Sequence, residues 1–174
     1  SGAGAAAMEE LENQTHMMLH GMPAQPEVFP HPIAFNLFSH NTPINEFGYN
    51  DEEWKVIHET RKILGISNLK VGVTCVRVPI PRAHTETVIV EFSERAPTEQ
   101  AVRQALEKFP GVSVMDDREN NYFPMPIDAS GNDDVLVGRI RKDYSHDNAI
   151  AFMLSGDQLR KGAALNAVQI AEQF

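Results

Sequence analysis

CVRVPIPRAHTETVIVEF, residues 75–92, decides how this chain is read. Both ends are apolar, β-branched and alternating, which is the signature of strand. Between them stand Pro79 and Pro81, which lack ladder donors and fix the backbone, so the chain must leave regular pairing there. Arg77, Arg82 and His84 surround that corner. If the first strand alternates regularly, Arg77 shares a face with Val73 and Cys75, and that face looks inward. An inward guanidinium needs a carboxylate or phosphate, because it cannot shed its charge. His84 opens the second strand, at an element end where a base can meet solvent. The residues alone leave two readings open: a substrate pair, or a strand-edge arginine on some acid beside an exposed histidine.

Outward from this corner, LKVGVTCVRV (69–78) and HTETVIVEF (84–92) read as strands. So do DVLVGRIRKD (134–143) and NAIAFMLSGD (148–157), which are joined by the turn YSHD. VSVMD (112–116) reads as a short strand, and AFNLFSHN (34–41) as a strand or its edge. Residues 4–20 form an alanine-rich helix with Met8, Leu11 and Met18 among its apolar positions. NDEEWKVIHETRKILG (50–65) is a helix capped by Asn50 or Asp51, with acids first, Arg61 and Lys62 last, and Gly65 as its stop. Trp54, Ile57 and Ile63 are expected on its buried face, with Val56 and Leu64 near the edge. PTEQAVRQALEKFPGV (97–112) is amphipathic, and DQLRKGAALNAVQIAEQF (157–174) forms the last helix, starting near Asp157. Residues 21–33 hold four prolines and are irregular. Strands joined by short turns, interrupted by helices without a βαβ rhythm, predict an α+β fold with a mixed, mostly antiparallel sheet and helices packed on one face.

The 174 residues suit a single domain with a core of its own. A net charge of −9 argues against a broad nucleic-acid surface while leaving room for a local cationic pocket. One cysteine, Cys75, cannot form an internal disulfide, and fits a reducing compartment. No apolar run is long enough to span a membrane, and the opening residues are not expected to act as a signal peptide. The start, SGAGAAAMEE, lacks an initiator methionine and begins on a glycine turn feeding a helix, which reads as a processed product or an excised fragment.

Several residues invite chemistry. Cys75 lies mid-strand in an apolar run, where a small inert thiol is the expectation rather than a nucleophile. His16 and His20 sit one helical turn apart, but no third ligand is placed beside them, so no metal is expected. Ser1-Gly2-Ala3-Gly4 before a helix could cradle an anion, or simply turn the chain into the helix. Glu52 and Lys55 share a helix face as a surface pair or as binding groups.

The ordered set SGAGA, AFNLFSH, EEWKVIHETRKIL, TCVRVPIPRAHTE, VGRIRKD and GDQLRKGAALNAVQIAE resembles the C-terminal half of aspartate-β-semialdehyde dehydrogenase, nearly end to end. The resemblance implies a fold like the catalytic domain of glyceraldehyde-3-phosphate dehydrogenase. It implies interconversion of aspartyl-β-phosphate and aspartate-β-semialdehyde with NADP, on the way to lysine, methionine, threonine and isoleucine. It makes Arg77 the grip on the substrate carboxylate, His84 the acid/base, Glu52 the partner of the substrate amino group and Lys55 a phosphate ligand. Ser1, Gly2 and Gln158 then contact the cofactor, and Cys75 is structural. The family's nucleophilic cysteine, the glutamine before its glycine loop and its NADP-binding fold have no counterpart here. The chain alone is therefore expected to be inactive, a substrate-binding and dimerisation domain over 1–174 whose terminal helix, 157–174, packs toward the NADP-binding domain. The expected partners are substrate, phosphate, that domain and further copies in a dimer or tetramer, in the cytoplasm or a plastid stroma. A related acyl-phosphate reductase of the N-acetyl-glutamyl-phosphate type, or a non-catalytic dimerisation module, are the competing readings.

Overall fold

The computed structural model describes residues 2–174, so Ser1 lies outside it. The chain divides into two compact units, one of Ala3–Pro81 and one of Arg82–Phe174 together with Gly2.

In the first unit, helix α1 (Ala5–Leu19) leads into the proline-rich segment. That segment forms no regular element, yet its backbone is satisfied by two side chains of α1. Gln14, 1% exposed, accepts from the N–H groups of Ile33 and Ala34 and donates to the carbonyl of Gln25. Glu10 accepts from the N–H groups of Glu27 and Val28, and from the Gln14 amide. Buried backbone donors need partners, and here α1 supplies what a ladder would. Ala7, Leu11, Phe29, Ile33 and Ala34 form the apolar cluster beneath.

Helix α2 (Asp51–Leu64) resolves the choice of cap: Asn50 accepts from Glu53 N–H, and Glu53 returns the bond to Asn50 N–H. Gly65, at φ 67°, closes the helix, with Gly65 N–H on Lys62 and Ile66 N–H on Arg61. Ile57 is buried and Trp54 stacks on Phe47 with centroids 5.4 Å apart. Ile63 departs from expectation, at 78% exposure. Six residues of helix turn it about 120° away from Ile57, off the buried face.

Strand β1 (Phe38–Ser39) pairs antiparallel with β2 (Val76–Arg77), setting Phe38 opposite Arg77. The strand expected over 69–78 shrinks to these two residues. Its alternation is real, since Val71, Val73, Cys75 and Arg77 are half-buried while Gly72, Thr74, Val76 and Val78 are exposed. Among the described residues its ladder pairing is confined to Val76 and Arg77, and Cys75 N–H donates to the Glu53 carboxylate.

The second unit is built on a four-stranded sheet in the order β3-β6-β5-β4. Strand β3 (His84–Glu91) pairs antiparallel with β6 (Ala149–Gly156), and β6 with β5 (Val135–Lys142), while β4 (Val112–Val114) runs parallel to β5. The sheet is mixed and mostly antiparallel, as the α+β reading requires. Helix α3 (Glu99–Glu107), capped by Thr98, packs against β4 and β5, and the short α4 (Pro126–Ala129) against β6. The sequence reading passed over α4, which is four residues long and starts on a proline. The last helix begins later than expected. After Asp157 comes a π-helical turn (Arg160–Ala164), and only then α5 (Leu165–Ala171). No helix among the described residues is long and apolar enough to cross a membrane.

Candidate functional site

The residues singled out in the sequence fall into two constellations, one in each unit.

In Ala3–Pro81 the centre is Arg77. Its Nη2 donates to His40 Nε2 at 2.9 Å, and its Nε and Nη2 donate to Asn41 Oδ1 at 3.2 and 3.0 Å. The Phe29 ring lies 5.9 Å from its Cζ. His40 and Asn41 are neutral acceptors, so they fix the plane of the guanidinium without taking up its charge. Burial draws Arg77 below the ordinary arginine value, and the Glu52 carboxylate pulls it back up. The α2 pair is formed as the i, i+3 spacing predicts, with Lys55 Nζ 3.3 Å from Glu52 Oε1 and both side chains substantially exposed. A pair so open to solvent is worth little to stability. It can therefore be opened by a ligand at small cost.

Glu53, which sequence reasoning left unassigned, holds this arrangement together. It is 6% exposed and divides its two oxygens between the α2 cap and Cys75 N–H, at 3.0 and 2.8 Å. The start of α2, which carries Glu52 and Lys55, is thereby tied to the strand that carries Arg77. Cys75 itself is half-buried.

In Arg82–Phe174 with Gly2 the centre is His84, exposed at the first position of β3. Its carbonyl accepts from Ser155 Oγ at 2.9 Å, and its backbone pairs with Gly156. Before it, Ala83 is 3% exposed and sits at φ 74°, a conformation that costs an L-residue roughly 1–2 kcal/mol. Two contacts hold the chain there. Gln158 Oε1 accepts from Ala83 N–H at 2.8 Å, and Arg82 clasps Asp157 through Nε and Nη2, both 2.8 Å from Oδ2. Asp157 is 1% exposed and also accepts from the N–H groups of Gly131, Leu159 and Arg160. Burial by itself would raise its carboxyl, but these hydrogen bonds outweigh burial and hold it at about 2.

Gly2 lies beside this histidine. At φ 78°, it would place an added Cβ 3.4 Å from His84 Nε2. Glycine is the residue that adopts this conformation freely and leaves that space open. Gln158, singled out for a cofactor amide, spends its oxygen on Ala83, so the group it offers a ligand is its Nε2 donor. Ser1, grouped with Gly2, lies outside the described residues.

The contacts missed in the sequence are His40, Asn41, Glu53, Ala83 and Asp157. Glu53 carries a local signal, since Asn50-x-x-Glu53 is a capping-box spacing. Its bond to Cys75, the bond of Asp157 to Arg82 and the bonds of His40 and Asn41 to Arg77 join distant segments that nothing local announces.

Comparison with known proteins adds the family. Residues 1–161 match the family described as semialdehyde dehydrogenase, dimerisation domain. Over 172 residues the chain is 55% identical to aspartate-semialdehyde dehydrogenase of Synechocystis, covering 99% of this chain and 51% of that protein. The crystal structure of aspartate semialdehyde dehydrogenase II from Vibrio cholerae, complexed with ASA, superposes with a TM-score of 0.92 at 42% identity, over 99% of this chain and 50% of that one. The Candida albicans aspartate semialdehyde dehydrogenase with NADP superposes at 0.58 with 27% identity, over 73% of this chain and 40% of that one. The chain spans about half the length of the curated relatives it matches.

Proposed function

The chain belongs to the semialdehyde dehydrogenase family, through its dimerisation domain, and on that premise we propose that it is the substrate-binding and dimerisation half of an NADP-dependent aspartate-β-semialdehyde dehydrogenase. The observation that carries the reading is Arg77: a half-buried guanidinium held by His40 and Asn41, whose planar fork suits a substrate carboxylate. Arg82 serves differently, clasping the buried Asp157.

Each residue then has a task. Arg77 takes the carboxylate of aspartate semialdehyde as a planar fork. Glu52 opens from Lys55 to meet the amino group, and Lys55 meets phosphate as a point charge. His84 accepts the hydroxyl proton at a ring nitrogen as the aldehyde carbon is oxidised, and returns it in the reverse direction. The attacking thiol belongs to the other half of the enzyme, which makes this chain inactive alone.

Two local features fit a nicotinamide dinucleotide. Gly2 keeps a Cβ from the space beside His84, and Gln158 offers its Nε2 donor to a carboxamide oxygen. The dinucleotide, when bound, supplies or receives the hydride. The apolar side chains of the terminal segment, Leu159, Val168 and Ile170, each more than half exposed, are read as the face toward the NADP-binding domain. Dimerisation places two copies together, as a dimer or within a tetramer.

In the full-length enzyme, His84→Ala is expected to lower kcat by about 100-fold or more with folding intact. Unchanged turnover removes His84 from the chemistry. Arg77→Lys is expected to raise KM for the semialdehyde by about tenfold, since an ammonium cannot make a bidentate grip. An unaltered KM and kcat removes Arg77 from the site.

A further inference from the structure

We propose that His40 is a positioning residue: its neutral ring, accepting from Arg77 at Nε2, fixes the guanidinium in the orientation that receives the substrate carboxylate. The inference rests on the reading of Arg77 as the carboxylate ligand.

The geometry sets the tautomer. A ring nitrogen that accepts from a guanidinium must present its lone pair, so Nε2 is bare and the ring proton sits on Nδ1. Nδ1 faces Thr42 Oγ1 at 3.3 Å, and that oxygen also accepts from Asp51 N–H at 3.1 Å, at the first residue of α2. A chain of hydrogen bonds thus runs from Arg77 through His40 and Thr42 to the start of the helix that carries Glu52 and Lys55. Asn41 Oδ1 takes Nε and Nη2 from one direction, and His40 Nε2 takes Nη2 from another, so His40 adds a second acceptor that restrains rotation of the fork.

The surroundings favour a neutral ring. Burial lowers the His40 value first, and the Arg77 charge lowers it further. The carboxylates of Glu52, Glu53 and Asp51 act in the other direction without reversing the shift. An imidazolium would lose the acceptor and set one cation against another at 2.9 Å. Glutamine can replace the function, since its amide oxygen is a neutral acceptor at similar reach. Leucine cannot.

The test uses the full-length enzyme and four forms: wild type, His40→Leu, His40→Gln and Arg77→Ala. His40→Leu is expected to raise KM for aspartate semialdehyde about tenfold while kcat stays within about twofold, the pattern of lost substrate binding rather than lost chemistry. His40→Gln is expected to restore KM to within about threefold of wild type, because its amide oxygen supplies the missing acceptor. If Arg77→Ala raises KM and His40→Leu leaves it unchanged, the positioning role falls while the reading of Arg77 stands. If Arg77→Ala also leaves KM unchanged, the reading of Arg77 itself falls, and this inference with it. A glutamine variant no better than leucine overturns the acceptor role. Should the variants fail to fold, the wild-type enzyme labelled with 15N-histidine decides. A two-bond proton–nitrogen spectrum with His40 protonated on Nδ1 supports the assignment, and a proton on Nε2 overturns it.

Discussion

Arg82 and Asp157 are 75 positions apart in the chain and joined at 2.8 Å, immediately beside the left-handed Ala83. This ion pair clamps the corner from which His84 emerges.

The carboxyl of Asp157 is held at about 2, below its ordinary 3.8. A carboxyl depressed by folding stabilises the native state above its unfolded value and stops doing so as pH falls through the folded one. Asp157 therefore contributes fully above about pH 4 and loses its contribution between about 4 and 2. Asp157→Ala is expected to destabilise the protein by about 3 kcal/mol at neutral pH, because it strands Arg82 and three backbone donors. Urea unfolding from pH 6 down to 2.5 checks this, with the gap between wild type and variant narrowing toward acid. A gap that stays constant across that range would contradict the assignment.

Glu53 serves a helix cap and a strand at once. Glu53→Ala removes both acceptors, one for Asn50 N–H and one for Cys75 N–H. The expected loss is about 2 kcal/mol, the sum of a broken capping box and a bereft buried donor. Hydrogen exchange at the Cys75 amide gives the local reading. It should accelerate in the variant by more than the amides of β5 and β6.

Gly138 on β5 admits no side chain. A Cβ there would stand 2.0 Å from Met115 O and 2.7 Å from Pro124 Cδ. Backbone cannot yield as a flexible side chain can, so Gly138→Ala is expected to cost about 3 kcal/mol or more. Thermal denaturation shows it as a fall in Tm or as failure to obtain folded protein. A variant with the wild-type Tm would mean that β4 and β5 lie farther apart than described.

Gln14→Leu keeps bulk under the proline-rich segment but removes both its donor and its acceptor. The N–H groups of Ile33 and Ala34 lose their partner. Limited proteolysis within residues 21–32 is expected to speed up by about tenfold, since unsatisfied backbone favours the open segment. Equal cleavage rates would show that proline stiffness alone keeps the segment closed.

Local grammar was legible in the sequence. Asn50 and Gly65 bounded α2, β-branched and apolar runs marked β3, β5 and β6, and the turn YSHD joined β5 to β6. Contacts between distant segments were not. Alternation over 69–78 reported half-burial correctly but could not say whether a ladder partner existed, so the strand was drawn too long. The apolar Ile63 was assigned inward on residue type although its angular position points away. The parallel pairing of β4 with β5 depends on a connection that no short turn announces. At the candidate site, Arg77 and His84 stood out because charge beside proline is unusual in a strand. Their supports, His40, Glu53 and Asp157, are ordinary polar residues until the fold brings their partners to them.

The dependence of the proline-rich segment on Glu10 and Gln14 bears on how this protein can be recombined. Its shape is written in a neighbouring helix, not in its own residues. Transplanting residues 21–34 into a relative whose first helix lacks those two side chains would carry over the letters without the conformation. Helix and segment form one heritable cassette, and crossovers between homologues should be tolerated before residue 5 or after residue 34 rather than between them.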